Sequence, residues 1–236
     1  MTTSSTLQPS PIPPTPPDPH HAVAWRTLHI QTGAVETRFD DAGEPWQTAI
    51  YKQPVTERIA VTTLGLAGDE RTGYDPDRAI CCHAEGHYRF WESYFNRVFP
   101  LGTFGENITL DGALDELVCV GDIYQCGTAV MQVTQPRTPC YKQAKKIGVP
   151  TFVKLIEATR RRGFLLRVLQ EGTIMLGESF ELLERPFPTA SLIYVNRIFL
   201  EKNDPERIAW LADLAPLAHD WRAAMQALVT PAHTQP

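Results

Sequence analysis

The run Gln135-Pro136-Arg137-Thr138-Pro139-Cys140-Tyr141-Lys142 sets one cysteine between two cations, just after an apolar strand-like segment. Arg and Lys charges stabilise a thiolate, and a thiolate is the reactive form of cysteine. It is also a soft ligand for a heavy metal and a carrier of sulfur. Pro136 and Pro139 restrict the local backbone, which helps to fix the direction of the thiol. Arg137 can fork onto a phosphate or carboxylate, and Lys142 can serve as a point charge. A thiolate beside anion-binding cations suits a ligand that carries both a metal and a phosphate. The competing reading is an ordinary loop thiol with surface charges nearby.

Three turns add possible contacts. Gly102-Thr103-Phe104-Gly105-Glu106-Asn107 is a glycine-flanked polar turn of the kind that lets backbone amides approach an anion. Asp75-Pro76-Asp77-Arg78 offers Arg78 as a further anion contact, and Gly65-Leu66-Ala67-Gly68-Asp69-Glu70 is the third turn. Cys81-Cys82-His83 with His87 has the residue types of a metal site. Adjacent residues on a strand point to opposite faces, so Cys81 and Cys82 do not converge on a tetrahedral zinc. The run reads instead as a strand end feeding a helix. Arg160-Arg161-Arg162 reads as a solvated helix end whose cations complement the dipole. There is no Walker motif, GxGxxG, GxSxG or HExxH, which disfavours nucleotide-binding, hydrolase and zincin readings.

The elements that must position these residues are mostly short strands. Apolar, β-favouring segments span Thr27 to Ile30, Ala49 to Tyr51, Glu57 to Val61, Leu117 to Val120, Ile123 to Cys126, Val130 to Thr134, Phe164 to Leu169 and Ser179 to Leu183. Gly127-Thr128 reads as a hairpin turn. Many short strands punctuated by Gly, Pro and Asp indicate a barrel or sandwich. Two helices interrupt them. One carries an aromatic face of His87, Tyr88, Trp91 and Phe95, read as core rather than as a stacking platform. The other starts at Thr151 as cap and ends at Gly163. Beyond Pro186 come three short helices, the second opened by Asp204 as cap and Pro205 in its first turn.

With 236 residues, 43% hydrophobic and 21% charged, the chain is an ordinary globular one. A net charge of -5 gives no pull toward nucleic acid or anionic membrane, and no apolar run reaches the length of a membrane span. The five cysteines follow no disulfide spacing, and the Pro-rich start has no apolar core like that of a secretory signal. A reduced, cytoplasmic protein is expected, with residues 1–21 disordered, a barrel domain over 22–186 and a three-helix extension over 187–230.

Taken in order, Gly65 to Glu70, Asp77-Arg78-Ala79, Phe104-Gly105-Glu106-Asn107, Gly121-Asp122 and Gln135 to Lys142 resemble a MOSC domain, the domain at the C-terminus of molybdenum cofactor sulfurases. The closest resemblance is to the stand-alone YiiM-like subgroup, which contributes to resistance against 6-hydroxylaminopurine and related N-hydroxylated bases. It covers Val23 to Pro186, and the C-terminal helices match the subgroup's extension.

The resemblance implies a mainly β fold, a distorted β-barrel of the pyruvate-kinase-barrel type with a few helices and a small C-terminal three-helix bundle. It implies the molybdenum cofactor (molybdopterin), with Cys140 as catalytic residue and molybdenum or sulfur ligand. Arg78, Arg137 and Lys142 are then expected at the cofactor's phosphate, and Gly105, Glu106 and Asn107 along the pocket. The implied activity is reduction of a small N-hydroxylated substrate, with electrons from a separate flavin or iron–sulfur protein. The alternatives are a sulfur carrier bearing a persulfide on Cys140, served by a cysteine desulfurase, and a non-catalytic cofactor-binding or partner-docking protein. One departure stands out. Relatives carry a His-Gly-Gly-like turn where this chain reads Arg71-Thr72-Gly73-Tyr74-Asp75-Pro76.

Overall fold

A computed structural model describes residues 24–40, 42–70 and 75–229. The Pro-rich run 1–21 and the departure at 71–74 lie outside them. The strands are β1 (Ala24–Thr32), β2 (Glu36–Phe39), β3 (Pro45–Thr48), β4 (Gln53–Pro54), β5 (Ile59–Thr62), β6 (Gly65–Leu66), β7 (Ile80–Ala84), β8 (Ile108–Leu110), β9 (Ile123–Cys126), β10 (Ala129–Pro136), β11 (Phe164–Gln170), β12 (Gly172–Ile174) and β13 (Ser179–Glu184). The helices are α1 (Glu85–Phe95), α2 (Tyr141–Ile147), α3 (Phe152–Thr159), α4 (Leu192–Glu201), α5 (Pro205–Ala212) and α6 (His219–Val229).

Seven strands close a barrel in the order β1-β13-β9-β10-β11-β7-β8 and back to β1. The closing pair sets Trp25 opposite Phe180. Every neighbour is antiparallel except β7 and β8, which run parallel with Cys82 opposite Ile108. Closure leaves no free edge along the ring. Inward positions are apolar: Ile80, Leu110, Tyr124, Met131, Phe164 and Phe180 are fully buried. The mainly β barrel expected from the sequence is therefore present.

The β9–β10 hairpin turns at Gly127-Thr128 as expected, with Cys126 paired to Ala129. Two anticipated strands are absent. Residues 49–51 are irregular and wall a cavity, and 117–120 make only an isolated bridge from Cys119 to Ser191. In neither do the backbone groups join a ladder: Ile50 N donates to Thr48 Oγ1 and Ile50 O accepts from Lys146 Nζ, while Val120 N donates to Ala190 O and Leu192 N to Val118 O. The hairpin of β2 and β3 went unread because its faces are largely exposed.

The aromatic helix is α1, with His87, Tyr88 and Trp91 buried. Tyr88 and Trp91, with Phe99, Phe104 and Phe152, form a second core beside the barrel, against which Phe95 packs, as its reading as core required. Thr151 is the N-cap of α3 by position, but its side chain makes no capping bond, and the helix stops at Arg160 in a left-handed conformation (φ 60°), not at Gly163. The Arg160 to Arg162 run is not a solvated helix end either. Arg161 lies over the Phe90 ring at 3.7 Å, and Arg162 is buried with its N–H on Asp115.

Asp204 caps α5 through the Arg207 N–H, and Pro205 occupies its first turn. The three C-terminal helices share the barrel's core rather than forming a separate one: Leu192, Val195, Leu211 and Trp221 belong to the same buried cluster as Tyr124 and Met131. No helix among the described residues is long and apolar enough to cross a membrane.

Candidate functional site

At one end of the barrel β10 runs out, and the chain must turn sharply at Pro136 and Pro139. Arg137 N donates to Gly163 O at 2.9 Å, so the turn is tied to the start of β11. Cys140 then adopts an extended conformation (φ -135°, ψ 159°) as N-cap of α2. Its C=O accepts the Gln143 N–H at 3.1 Å, and Gln143 Oε1 accepts from the Cys140 N–H at 3.2 Å. This reciprocal pair closes the first turn of α2, with the sulfur where a capping hydroxyl usually stands. It aims the half-buried thiol into an open cavity of about 290 Å³, near the lower limit for small-molecule sites.

The cavity gathers cations. Arg137, Lys142, Arg78 and Lys52 all line it. Arg137 carries a shielded Nη1 without a hydrogen-bond partner. Burial depresses its affinity for the proton, but the Cys81, Cys140 and Glu106 groups outweigh that and raise it. Lys142 makes no ion pair or side-chain hydrogen bond among the described residues, so its ammonium is available to a ligand. Arg78 is differently placed from the sequence expectation. It reaches the cavity, yet its guanidinium pairs with Asp75 at 3.0 Å and with Asp220 of α6. Lys52 pairs with the buried Asp69, whose carboxylate also takes the Gly33 N–H at 3.0 Å.

Of the Gly105-Glu106-Asn107 trio, Gly105 and Asn107 line the cavity and Glu106 does not. Glu106 is fully buried behind the wall. Its Oε1 accepts from the Tyr88 hydroxyl, from Thr109 Oγ1 at 2.8 Å and from Gly102 N at 3.2 Å. Burial and this carboxylate hold the Tyr88 phenol well above its ordinary pKa. The anticipated amide cradle is consequently spent internally: Gly105 N bonds Gly102 O, and Asn107 N bonds Cys81 O at 2.8 Å. Glu106 organises the loop from within, and α1 reaches the site through it.

Gly105 has φ 76°, and a Cβ there would overlap the Ile50 side chain. Left-handed strain and overpacking then add. Gly105→Ala is expected to lower stability by about 2 kcal/mol or more, read as a shifted denaturant midpoint.

Cys81 is the residue whose place the sequence reading missed. Alternation along β7 sends Cys82 into the core and Cys81 to the cavity, so a second thiol shares the space with Cys140. The period-two rule separated the pair but could not say which face held the site. Further along the same face of β7 His83 is buried, with its ring 5.0 Å from that of buried His87 on α1. Burial keeps both neutral, lowering His83 to about 3, and raises Asp115 beside them to about 8.

A family profile for the MOSC domain matches residues 69–181, which hold the cavity turns and Cys140. Over 205 residues the chain is 35% identical to the uncharacterized protein YflK of Bacillus subtilis (strain 168), covering 85% of this chain and 92% of that one. The chain belongs to the MOSC domain family. Its fold matches the crystal structure of YiiM from Geobacillus stearothermophilus with a TM-score of 0.75 and 36% identity, over 87% of this chain and 100% of that one. This MOSC protein is thus YiiM-like. It is also 33% identical, over 79% of its length, to a protein named reductase from Gibberella moniliformis (strain M3125 / FGSC 7600), but spans only 33% of that longer chain.

Proposed function

We propose that the cavity holds a molybdenum cofactor with the Cys140 thiolate as metal ligand, and that the protein reduces small N-hydroxylated compounds such as hydroxylamino bases. One observation carries the reading: a directed thiol shares a cavity with the unpartnered Arg137 Nη1 and the available Lys142 ammonium. A soft sulfur beside free cations fits a ligand with a metal at one end and a phosphate at the other. Membership of the MOSC family and the likeness to a fungal protein named reductase support it.

On this reading Cys140 is held in direction by Gln143, and Arg137 and Lys142 neutralise the phosphate. Gly105, whose missing Cβ makes room for the Ile50 side chain, lets the wall of the cavity close up at that point. Arg78 contributes from its pairing with Asp220, so α6 helps to place it. When bound, the cofactor supplies two-electron redox chemistry at an N–O bond. The balance is one hydroxylamine plus two electrons and two protons, giving an amine and water. The electrons come from a separate flavin or iron–sulfur protein.

Metal and pterin analysis of protein purified from a cofactor-competent host tests the proposal. Stoichiometric molybdenum and pterin are expected, together with N–O reduction when electrons are supplied. Absence of both molybdenum and pterin defeats it.

Cys81 favours a second reading, since a neighbouring thiol can release sulfur carried on Cys140. In that sulfur-transfer reading, a persulfide on Cys140 and the Cys81 thiol give a disulfide and hydrogen sulfide. Mass spectrometry after treatment with a cysteine desulfurase separates the two. One added sulfur on Cys140, without N–O reduction, favours transfer.

A further inference from the structure

A row of buried titratable groups runs inward from the cavity, and the proposed mechanism leaves it unused. β7 starts the row. Cys81 lines the cavity, and His83 lies two residues further along the same face, about 7 Å on. The His83 ring meets that of His87 on α1 edge-on, at 74° and 5.0 Å. His87 Nε2 stands 3.9 Å from Asp115 Oδ1, and both side chains are 3% exposed. Asp115 is tied down by the Arg162 N–H at 2.9 Å and the Gly163 N–H at 3.2 Å. Beside it the half-buried Glu116 and Arg161 lead to the surface. At the other end Arg137, which lines the cavity, acts on His83 with its charge.

Polar atoms along this row go short of partners. Both ring nitrogens of His83, Nδ1 of His87 and Nη1 of Arg137 are shielded from solvent and make no hydrogen bond of ordinary geometry among the described residues. Burying such atoms unpaired is costly, and packed apolar side chains would avoid the cost. A native structure that keeps it calls for a functional explanation.

The charges around the row set its protonation. His83 faces Arg137 and the Arg162 backbone, and His87 faces His83 and Arg161. Asp115 faces the Arg162 and Gly163 N–H groups, the Glu116 carboxylate and the Arg162 charge. Burial outweighs these neighbours at all three. At neutral pH Asp115 therefore holds a proton, and each neutral imidazole has one nitrogen able to take a proton and one able to give it.

We propose that Asp115, His87 and His83 form a proton path that reaches the cavity from behind and supplies the protons consumed in N–O reduction. Asp115 gives its proton to His87, which releases the proton on its other nitrogen to His83. His83 does the same toward the part of the cavity lined by Cys81 and Arg137. Solvent at Glu116 and Arg161 reprotonates Asp115. Two passages balance the two protons of each turnover, and no electron moves along the row. The 3.9 Å separation is longer than a hydrogen bond, as such pairs often are before a substrate binds. The inference rests on the reductase reading for the use of the protons, and on the row alone for their route.

Reduction of 6-hydroxylaminopurine by the full chain from a cofactor-competent host, with a reduced viologen dye as electron source, tests the route. His87→Phe keeps a flat ring in place but carries no proton. Asp115→Asn keeps an oxygen for the Arg162 and Gly163 N–H groups but stores no proton. Each is expected to lose about 10-fold or more in kcat, with a larger solvent isotope effect and with KM, molybdenum content and thermal midpoint as in the wild type. Wild-type kcat should fall as pH rises through about 8, where Asp115 gives up its proton, and Asp115→Asn should lack that fall. Infrared spectra of the same proteins give a reading independent of turnover. A protonated-carboxyl band is expected at neutral pH, fading through about pH 8 and missing from Asp115→Asn. If His87→Phe does not fold, Asp115→Asn decides by the same readings. Unchanged kcat in the variants, a loss that comes with lost molybdenum or an early melt, or no such band overturns the proposal. A molybdenum-loaded wild type without N–O reduction defeats the reductase reading and this route with it, whereas an active wild type beside fully active variants defeats the route alone.

Discussion

Cys140→Ser protein from a cofactor-competent host is expected to lose its molybdenum and its N–O reduction while folding as the wild type does. The two effects separate because Cys140 has two jobs. Structurally, it is the N-cap of α2, tied to Gln143 through its C=O at 3.1 Å and its N–H at 3.2 Å. A serine hydroxyl is a better acceptor in that position, so α2 keeps its cap and the thermal midpoint should not fall. Chemically, serine substitutes a hard oxygen for a soft thiolate, and on the proposed reading the metal loses its ligand. Changing a group behind a ligand costs roughly 10- to 100-fold in affinity or activity, and loss of the ligand itself should exceed that. The measurement pairs molybdenum content and reductase rate with a thermal melt. A mutant with full metal and full rate would remove Cys140 from the centre of the mechanism. A mutant that melts early would mean that the sulfur is structural.

How much of this was legible beforehand depended on the range of the interactions. The hairpin around Gly127-Thr128 and the Asp204-Pro205 helix start are local signals, set by a few neighbouring residues, and both appear where expected. The run from Gln135 to Lys142 was readable as a poised thiol because its cations are close in sequence. α2 was not read, because seven residues give little periodicity, and its cap is a cysteine rather than a serine or aspartate.

Long-range facts stayed hidden. Glu106 looked like a wall residue, but Tyr88 and Thr109 draw its carboxylate inward, and only the packing of α1 brings Tyr88 there. Arg78 looked free, but Asp220 lies 142 residues away in sequence. Arg162 looked like solvated charge until β11 and Asp115 enclosed its backbone. The face of β7 that carries Cys81 depends on barrel closure, which no window of sequence records.

Asp122→Ala is expected to give the largest loss of stability. The Asp122 carboxylate takes the Arg185 guanidinium at both ends, Oδ1 from Nε at 2.8 Å and Oδ2 from Nη2 at 2.7 Å. It also accepts the Tyr124 hydroxyl and the Cys119 N–H, each at 2.9 Å. Asp122 precedes β9 and Arg185 follows β13, so the pair fastens the barrel where the chain leaves for the C-terminal helices. Neither side chain reaches solvent, at 0% and 4% exposure. Removing the carboxylate therefore strands a buried cation and two donors, and breaking such a pair from one side costs about 3–5 kcal/mol. For a chain of this size that corresponds to a fall of roughly 6–20 °C in Tm. The cost lies in the stranded charge rather than in the bond, which a double mutant can show. Asp122→Leu with Arg185→Met should be less destabilised than Asp122→Ala alone, because no buried charge remains. Denaturant midpoints of the three proteins decide it. If Asp122→Ala stays within about 1 kcal/mol of the wild type, the value of an exposed pair, the ion pair does not hold this junction together.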